Sequence, residues 1–318
     1  MEMDRTQYIG SSDAAVILGV SPWKSPLQLY QEKIGEYQEE VTEQKQKLFN
    51  RGKRWEPVVV EMLVDELKDR GHDVHIINRN NRFRDLEIDY LAAEIDLELL
   101  VDGETVNGEM KTVHPFAAKD WGDEDTDEIP IYYTAQVLHG QMVTRREKTI
   151  VAALIGADDL RVHMVERDNE IISNMRQKEI EFWDRVKKRE APEPTCLEDV
   201  KQLYSKDNGK TVNADDGLFY NICRLKEMKS KAKMLEDQID SLSLDVKLAI
   251  MHDAVVLYEG KEVCTWKKNR DGKDINWKNA FKNLSDLVKR GSVDTENIDK
   301  IIEINTSKVI GARVLRVK

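Results

Sequence analysis

The sequence predicts an α/β fold, a mixed central sheet flanked by helices, followed by a region built on one long helix and a small β element. Three observations predict it. Segments with helical periodicity alternate with period-two segments through about residue 194. The run Ala191-Pro192-Glu193-Pro194 then reads as a linker. Beyond it, Leu218, Ile222, Leu225, Ala232, Leu235, Ile239, Leu242, Val246 and Ala249 recur at spacings of three, four and seven, a heptad-like stripe with charged flanks. The domains expected are 1–194 and 195–318.

In chain order, residues 14–18 and 27–34 read as short helices, the second opened by Pro26 and closed by Gly35. A longer helix covers 43–67, where Gly52 and Pro57 predict a bend or a break near Glu56. Strands follow at 74–77, 91–101 and 105–113. Leu97, Leu99 and Val101 alternate with polar residues and Asp102-Gly103 is a strong turn dipeptide, so the last two strands form a β-hairpin. Residues 129–143 are helical, 149–155 and 161–165 are strands, and a helix at 169–188 runs up to the linker. Residues 215–252 form one long helix, which either lies across its own small domain or pairs as a coiled coil with a subunit or partner. Residues 255–258, 263–267 and 314–317 read as the small β element.

The chain has 318 residues, 40% of them apolar, enough to bury the cores of about two domains. No stretch approaches the apolar length of a membrane span, and the first residues carry no signal-peptide pattern. Cys196, Cys223 and Cys264 are far apart, odd in number and without zinc or disulfide spacing, so a reducing cytoplasm is expected. The net charge of −11 divides into −14 over residues 1–194 and +3 over 195–318, which argues against indiscriminate nucleic-acid binding. Part of the acidity lies in the run 123–128, read as a solvated loop. Nothing in the sequence has the pattern of a nucleophilic triad, a phosphate-cradling P-loop or a dinucleotide fingerprint.

The candidate chemistry sits on the hairpin. Glu109 and Lys111 are two residues apart on one strand, so both side chains leave the same face. Carboxylates hold a hard cation such as Mg²⁺ through oxygen, and a lysine beside them can orient the attacking water, which suits metal-assisted phosphodiester hydrolysis. Asp96 on the first hairpin strand and Glu56 on the long helix supply further oxygen ligands, and the backbone carbonyl of Met110 a fourth. Tyr133 and Gln136 lie one helical turn apart on one face, where a neutral amide could hold a water or a phosphate oxygen. The bland alternatives are a surface hairpin with an ion pair, a core tyrosine and a satisfied buried amide. His114 reads as a turn residue before a helix, and His139 as packed or exposed rather than catalytic.

The order Ile9-Gly10-Ser11-Ser12-Asp13-Ala14-Ala15, Arg51-Gly52-x-x-x-Glu56-Pro57, Asp96, Glu109-x-Lys111 and Tyr133-x-x-Gln136-Val137 resembles the YqaJ-type viral recombinase family. That family groups phage alkaline exonucleases, the lambda type included, within the PD-(D/E)xK nuclease superfamily. The likeness continues through Val143-Thr144-Arg145 and Val165-Glu166-Arg167-Asp168, covering roughly residues 5–190. It implies a restriction-endonuclease-like core, with Glu56, Asp96 and Glu109 as metal ligands, Lys111 as the catalytic lysine, and Gln136 and Tyr133 beside them. Lambda-type members bind a 5′-terminal phosphate with an Arg and a Ser seven residues later. Arg5 and Ser12 have that spacing here, though a serine at this position also serves as a simple helix cap. The lambda-type pattern also places Ser-Pro just ahead of the metal-binding Asp, whereas this chain has Glu94-Ile95-Asp96.

The resemblance therefore implies a phage-encoded, Mg²⁺-dependent exonuclease, with Mn²⁺ as a substitute, digesting one strand of linear double-stranded DNA from its 5′ end in recombination. Its expected partners are a single-strand annealing protein and further copies of itself in a ring-shaped trimer, in a bacterial cytoplasm and with no membrane involved. The alternatives are an endonuclease or nickase of the same superfamily, and a DNA- or protein-binding module without catalysis.

Overall fold

The computed structural model describes residues 4–37, 42–123, 126–289, 295–309 and 313–317. The chain divides into two compact units, Met1–Gly209 and Lys210–Lys318. The proline-rich run at 191–194 is irregular, as expected, but the first unit continues past it. Ser25 donates a 2.6 Å hydrogen bond to Asp199, which also accepts from the Thr195 backbone N–H at 2.9 Å. These bonds tie a short helix, α6 (Leu197–Leu203), to the start of α2 (Pro26–Lys33), which places the division some fifteen residues beyond the expected 194/195 boundary.

The first unit is a five-stranded sheet in sequence order, β1 (Val74–Arg84), β2 (Ala92–Val101), β3 (Glu104–Val113), β4 (Lys148–Ile155) and β5 (Asp159–Glu166). All neighbours are antiparallel except β3 and β4, which α4 (Ile131–Thr144) connects in the parallel sense. The mixed sheet flanked by helices is thus present. Asp102 and Gly103 take φ values of 50° and 85°, the doubly positive pair of a tight hairpin turn that matches the twist of the flanking strands. On β4 the period of two is complete and both faces are buried. Ile150, Ala152 and Leu154 join the core beneath α3 (Glu43–Asp69), while Val151, Ala153 and Ile155 join the core beneath α4. A third cluster packs α1 (Ser11–Ile17), α2, α4 and α5 (Asn169–Lys188) over Ala93 and Ile95.

Two expectations change here. Of the bend or break expected near Glu56, the break does not occur: the helix runs through Pro57 for 27 residues. Pro57 forfeits one backbone bond, to the Lys53 carbonyl, and burial of Val59, Val60, Leu63 and Leu67 immediately afterwards offsets that loss. β1 extends seven residues beyond the expected 74–77. Apart from half-buried Phe83, residues 78–84 are polar because β1 is an edge strand that is mostly solvent-facing, so they give no sustained alternating signal. His139 is fully buried: one ring nitrogen lies 2.7 Å from Glu179 and the other 2.9 Å from the Ala92 carbonyl. Of the acidic run at 123–128, residues 124 and 125 lie outside the described residues.

The second unit contains the long helix α7 (Asp216–Ile250) and a three-stranded sheet of β6 (Val255–Tyr258), β7 (Lys261–Lys268) and β10 (Arg313–Val317), the small β element expected. It adds a hairpin of β8 (Gly272–Ile275) and β9 (Thr306–Val309), with α8 (Trp277–Lys289) and α9 (Thr295–Ile304) between them. Among the described residues no helix is long and apolar enough to cross a membrane.

Candidate active site

The site opens where β2 leaves β3. Their ladder ends at the pair Leu97–Gly108, and beyond it the Met110 N–H is taken by the Asp96 carboxylate at 3.0 Å. Face alternation breaks at the same place. Ile95 belongs to the core under α4, while Leu97, two residues on, belongs to the core under α3. Across from Asp96, between the pairs Arg79–Leu97 and Asn81–Ile95, Asn80 takes a φ of 51°, a left-handed conformation that asparagine tolerates. Asp96 therefore sits at the edge of the gap rather than on either face.

From the α4 side, Glu109 and Lys111 project together, as the strand period requires. Lys111 Nζ donates to Glu109 Oε1 at 2.5 Å and to Gln136 Oε1 at 3.2 Å, and Gln136 Nε2 donates to the same Glu109 oxygen at 2.6 Å. The Tyr133 ring lies 4.7 Å from the Lys111 ammonium. From the opposite face α3 delivers Glu56, whose carboxylate accepts from Asn80 at 3.2 Å. Glu56, Asp96, Glu109, Met110, Lys111, Tyr133 and Gln136 all line one cleft of about 720 Å³, with Leu48, Phe49 and Lys53 on its α3 wall. In a strand the N–H and C=O of one residue leave by the same edge, so the Met110 carbonyl points toward β2 and the gap.

The electrostatics are those of an anionic cleft short of one cation. Burial, then the charge of Glu109, push the Asp96 carboxyl up to about 7. Burial and the Asp96 charge also raise Glu56. Burial acts to lower Lys111, but Glu109 and Asp96 outweigh it and hold the ammonium firmly charged. Among the described residues no three acidic, imidazole or thiol groups lie close enough to form a ready-made metal cage. The donor set nevertheless fits a hard divalent ion of the Mg²⁺ kind, which takes one or two carboxylates and fills its remaining positions with water or substrate phosphate. Asp96 and Glu109, with the Met110 carbonyl, have that chemistry, and Glu56 stands on the facing wall.

Arg5 and Ser12 meet, but outside the cleft lining. Arg5 Nη2 donates to Ser12 Oγ at 2.9 Å and to Asp13 at 3.1 Å, and buried Asp13 is held in turn by Lys33 at 2.8 Å and by the Gly10 N–H at 3.0 Å. Nothing in the sequence marked Asp13 and Lys33 as the anchor of this pair. Glu94 is exposed and paired with Arg82 at 3.0 Å, which offsets its charge. His114 accepts from the Phe116 N–H at 3.3 Å, the turn role expected of it. Asn80, which steadies Glu56, was not foreseen either; its only signal was an Asn-Asn pair inside a polar stretch.

Comparison with known proteins follows the same residues. A model of the YqaJ-like viral recombinase domain matches residues 2–147. The protein YqaJ of Bacillus subtilis (strain 168) is 30% identical over 300 residues, covering 91% of this chain and 89% of that one. Among solved structures, the chain is similar to an alkaline exonuclease from Laribacter hongkongensis, at 16% identity and a TM-score of 0.44 over 63% of this chain and 95% of the other. It is also similar to a phage-related exonuclease from Haemophilus somnus 129PT, at 13% identity and a TM-score of 0.40 over 57% and 96%. With the motifs at 9–15, 51–57, 96, 109–111 and 133–137 inside a relationship that runs nearly end to end, the chain belongs to the YqaJ-like viral recombinase family.

Proposed function

We propose that this protein is a divalent-metal-dependent deoxyribonuclease, an exonuclease that digests one strand of linear duplex DNA from the 5′ end during recombination. The single observation that carries the reading is the convergence of Asp96, Glu109, Lys111 and Gln136 on one edge of a cleft, with Glu56 facing them. Membership of a viral recombinase family makes DNA the substrate of choice. A Mg²⁺ ion, or Mn²⁺ in its place, held by Asp96, Glu109 and the Met110 carbonyl with Glu56 opposite, would supply Lewis-acid polarisation of the scissile phosphate and a more acidic water.

The chain's own groups do the rest. Lys111, fixed by Glu109 and Gln136, presents an ammonium that orients the attacking water and offsets charge developing on the phosphate. Gln136 holds Glu109 from the other side, so the carboxylate keeps one rotamer as substrate enters. Tyr133 shields the ammonium from solvent. Arg5 with Ser12 suits a terminal phosphate, a planar guanidinium beside a hydroxyl. A 3′ overhang left by this digestion would serve a single-strand annealing protein, and a trimeric ring is the assembly expected to give processivity.

The test uses linear duplexes with and without 5′ phosphate, and closed circular DNA, each with Mg²⁺. Wild type should shorten the linear forms and leave circles intact, chelation should stop it, and both Lys111→Ala and Asp96→Ala should abolish digestion. Full activity in both variants would refute this active site. Cutting of circles would replace the exonuclease by an endonuclease, and an Arg5→Ala variant that keeps the wild-type preference for 5′-phosphorylated ends would remove Arg5 from the end-binding role.

A further inference from the structure

The helix α7 is 35 residues long, about 52 Å, and among the described residues of its own unit nothing covers its apolar stripe. Leu218, Leu225, Met228, Ala232, Leu235, Ile239, Leu242, Val246 and Ala249 are all exposed. A helix that merely crossed its own small domain would bury them. Removing leucine, isoleucine and valine side chains from water is favourable, so the stripe has reason to find a partner.

The spacing says which partner. From Leu225 onward the stripe is an unbroken heptad pattern, with Leu225, Ala232, Ile239 and Val246 at one core position and Met228, Leu235, Leu242 and Ala249 at the other. When the helix is laid antiparallel on itself about the Lys233–Met234 midpoint, every layer pairs one core position with the other. Leu218 meets Ala249, Leu225 meets Leu242, Met228 meets Ile239, and Ala232 meets Leu235. Asn221 falls opposite Val246, one polar residue in a layer toward each end of the pair.

Charge carries the argument independently. The first half of the stripe is basic, with Arg224, Lys226, Lys229, Lys231 and Lys233 against Glu227. The second half is acidic, with Glu236, Asp237, Asp240 and Asp245 against Lys247. Within the helix Lys231 pairs with Glu227 at 2.6 Å. In the register set by the apolar layers, the flanking positions that face each other across an antiparallel pair are Arg224 with Asp245 and Lys229 with Glu236, each twice by symmetry. Both are opposite charges, and no like pair occurs at a flanking position. A parallel pair would instead place Arg224 against Lys229.

We propose that α7 is a self-association surface, pairing antiparallel with α7 of a second copy of this chain in the register Leu225–Leu242. The surface is independent of the cleft and of the nuclease reading.

The experiment is sedimentation equilibrium of the full chain over a range of concentrations, with circular dichroism to confirm that each variant keeps its helix. Arg224→Glu with Lys229→Glu turns four attractive facings into like-charge ones and should weaken association roughly ten- to a hundredfold. Adding Glu236→Lys and Asp245→Arg to the same chain should restore it. Orientation is read separately by oxidation in a Cys196→Ser, Cys223→Ser background, which removes both exposed native thiols. Leu225→Cys together with Leu242→Cys should give a covalent dimer linked between those two positions, and Leu225→Cys alone should give none at that site. A wild type that stays monomeric, a two-site variant that associates as well as wild type, a four-site variant that does not recover, or a 225-to-225 link would each overturn the proposal.

Discussion

Replacing Gln136 by methionine tests the positioning of the candidate lysine and carboxylate. The substitution keeps the length of the side chain and removes both of its polar contacts, the 2.6 Å bond to Glu109 and the 3.2 Å bond from Lys111. The Lys111–Glu109 bond at 2.5 Å remains, so the site loses order and not its charge balance. A hydrogen bond to a charged group is worth about 1.5–3 kcal/mol, and the shorter contact dominates. If that energy is felt in the transition state, cleavage under single-turnover conditions on a linear duplex should fall roughly 10- to 150-fold. The melting temperature should move by only a few degrees, about what a loss of 1 kcal/mol produces in a chain of this size. Gln136→Glu should be at least as slow at neutral pH, because it sets a third carboxylate against Glu109. A Gln136→Met rate within about threefold of wild type, with unchanged Mg²⁺ dependence, would refute the claim that this amide positions the reacting groups.

Two predictions concern stability. Arg176 holds Asp85 through two bonds of 2.7 and 2.8 Å, and the Glu87 and Ile88 N–H groups add two more. Burial acts to raise Asp85, but these partners outweigh it and bring its carboxyl down to about 2. A depressed carboxyl stabilises the fold above its unfolded pKa, so about 1–2 kcal/mol, after allowance for solvent screening, should be present above pH 4 and lost as pH falls toward 2. Urea unfolding of wild type and Asp85→Asn should converge over that window; a gap that persists at pH 2 would remove the pair as its cause. For the fully buried His139–Glu179 pair, burial lowers the imidazole, but Glu179 outweighs it and the net shift is upward. Its contribution is complete below the unfolded value near 6.5 and is lost as pH rises through the higher folded one. Wild-type stability should therefore fall from pH 6 to alkaline pH by more than that of a His139→Leu, Glu179→Leu double variant, which carries neither charge, checked by denaturant melts at both. An equal fall in both proteins would refute the charged pair.

The hairpin was legible because period-two patterning and Asp-Gly turn chemistry agree there, and the helix at 169–188 because capping Asp168 and the basic last turn mark both ends. β1 beyond Ile77 was not, since an edge strand that mostly faces water offers a single apolar residue there, Phe83, too little to print a pattern. Strand and helix periods place Glu109 with Lys111 on one face and Tyr133 with Gln136 on another; that the two faces meet was implied by the family resemblance alone. The arrival of Glu56 from the opposite face is likewise beyond any period, because it needs the sheet to part beside Asp96, where the β2–β3 ladder ends at Leu97–Gly108. Arg5 and Ser12 were paired by spacing, but the Asp13–Lys33 anchor beneath them is a contact between residues twenty apart in separate helices, which no local pattern encodes.

The parting of β2 from β3 has a mechanical corollary. Glu56 is carried by a helix seated on one hydrophobic layer, and Glu109 and Gln136 are backed by the layer on the reverse side, so the two halves of the reaction centre behave like jaws riveted at Asp96. Loosening either layer, through Leu63 on one or Leu138 on the other, should misalign the jaws and drain turnover while the protein is still folded, with no substitution made inside the cleft at all.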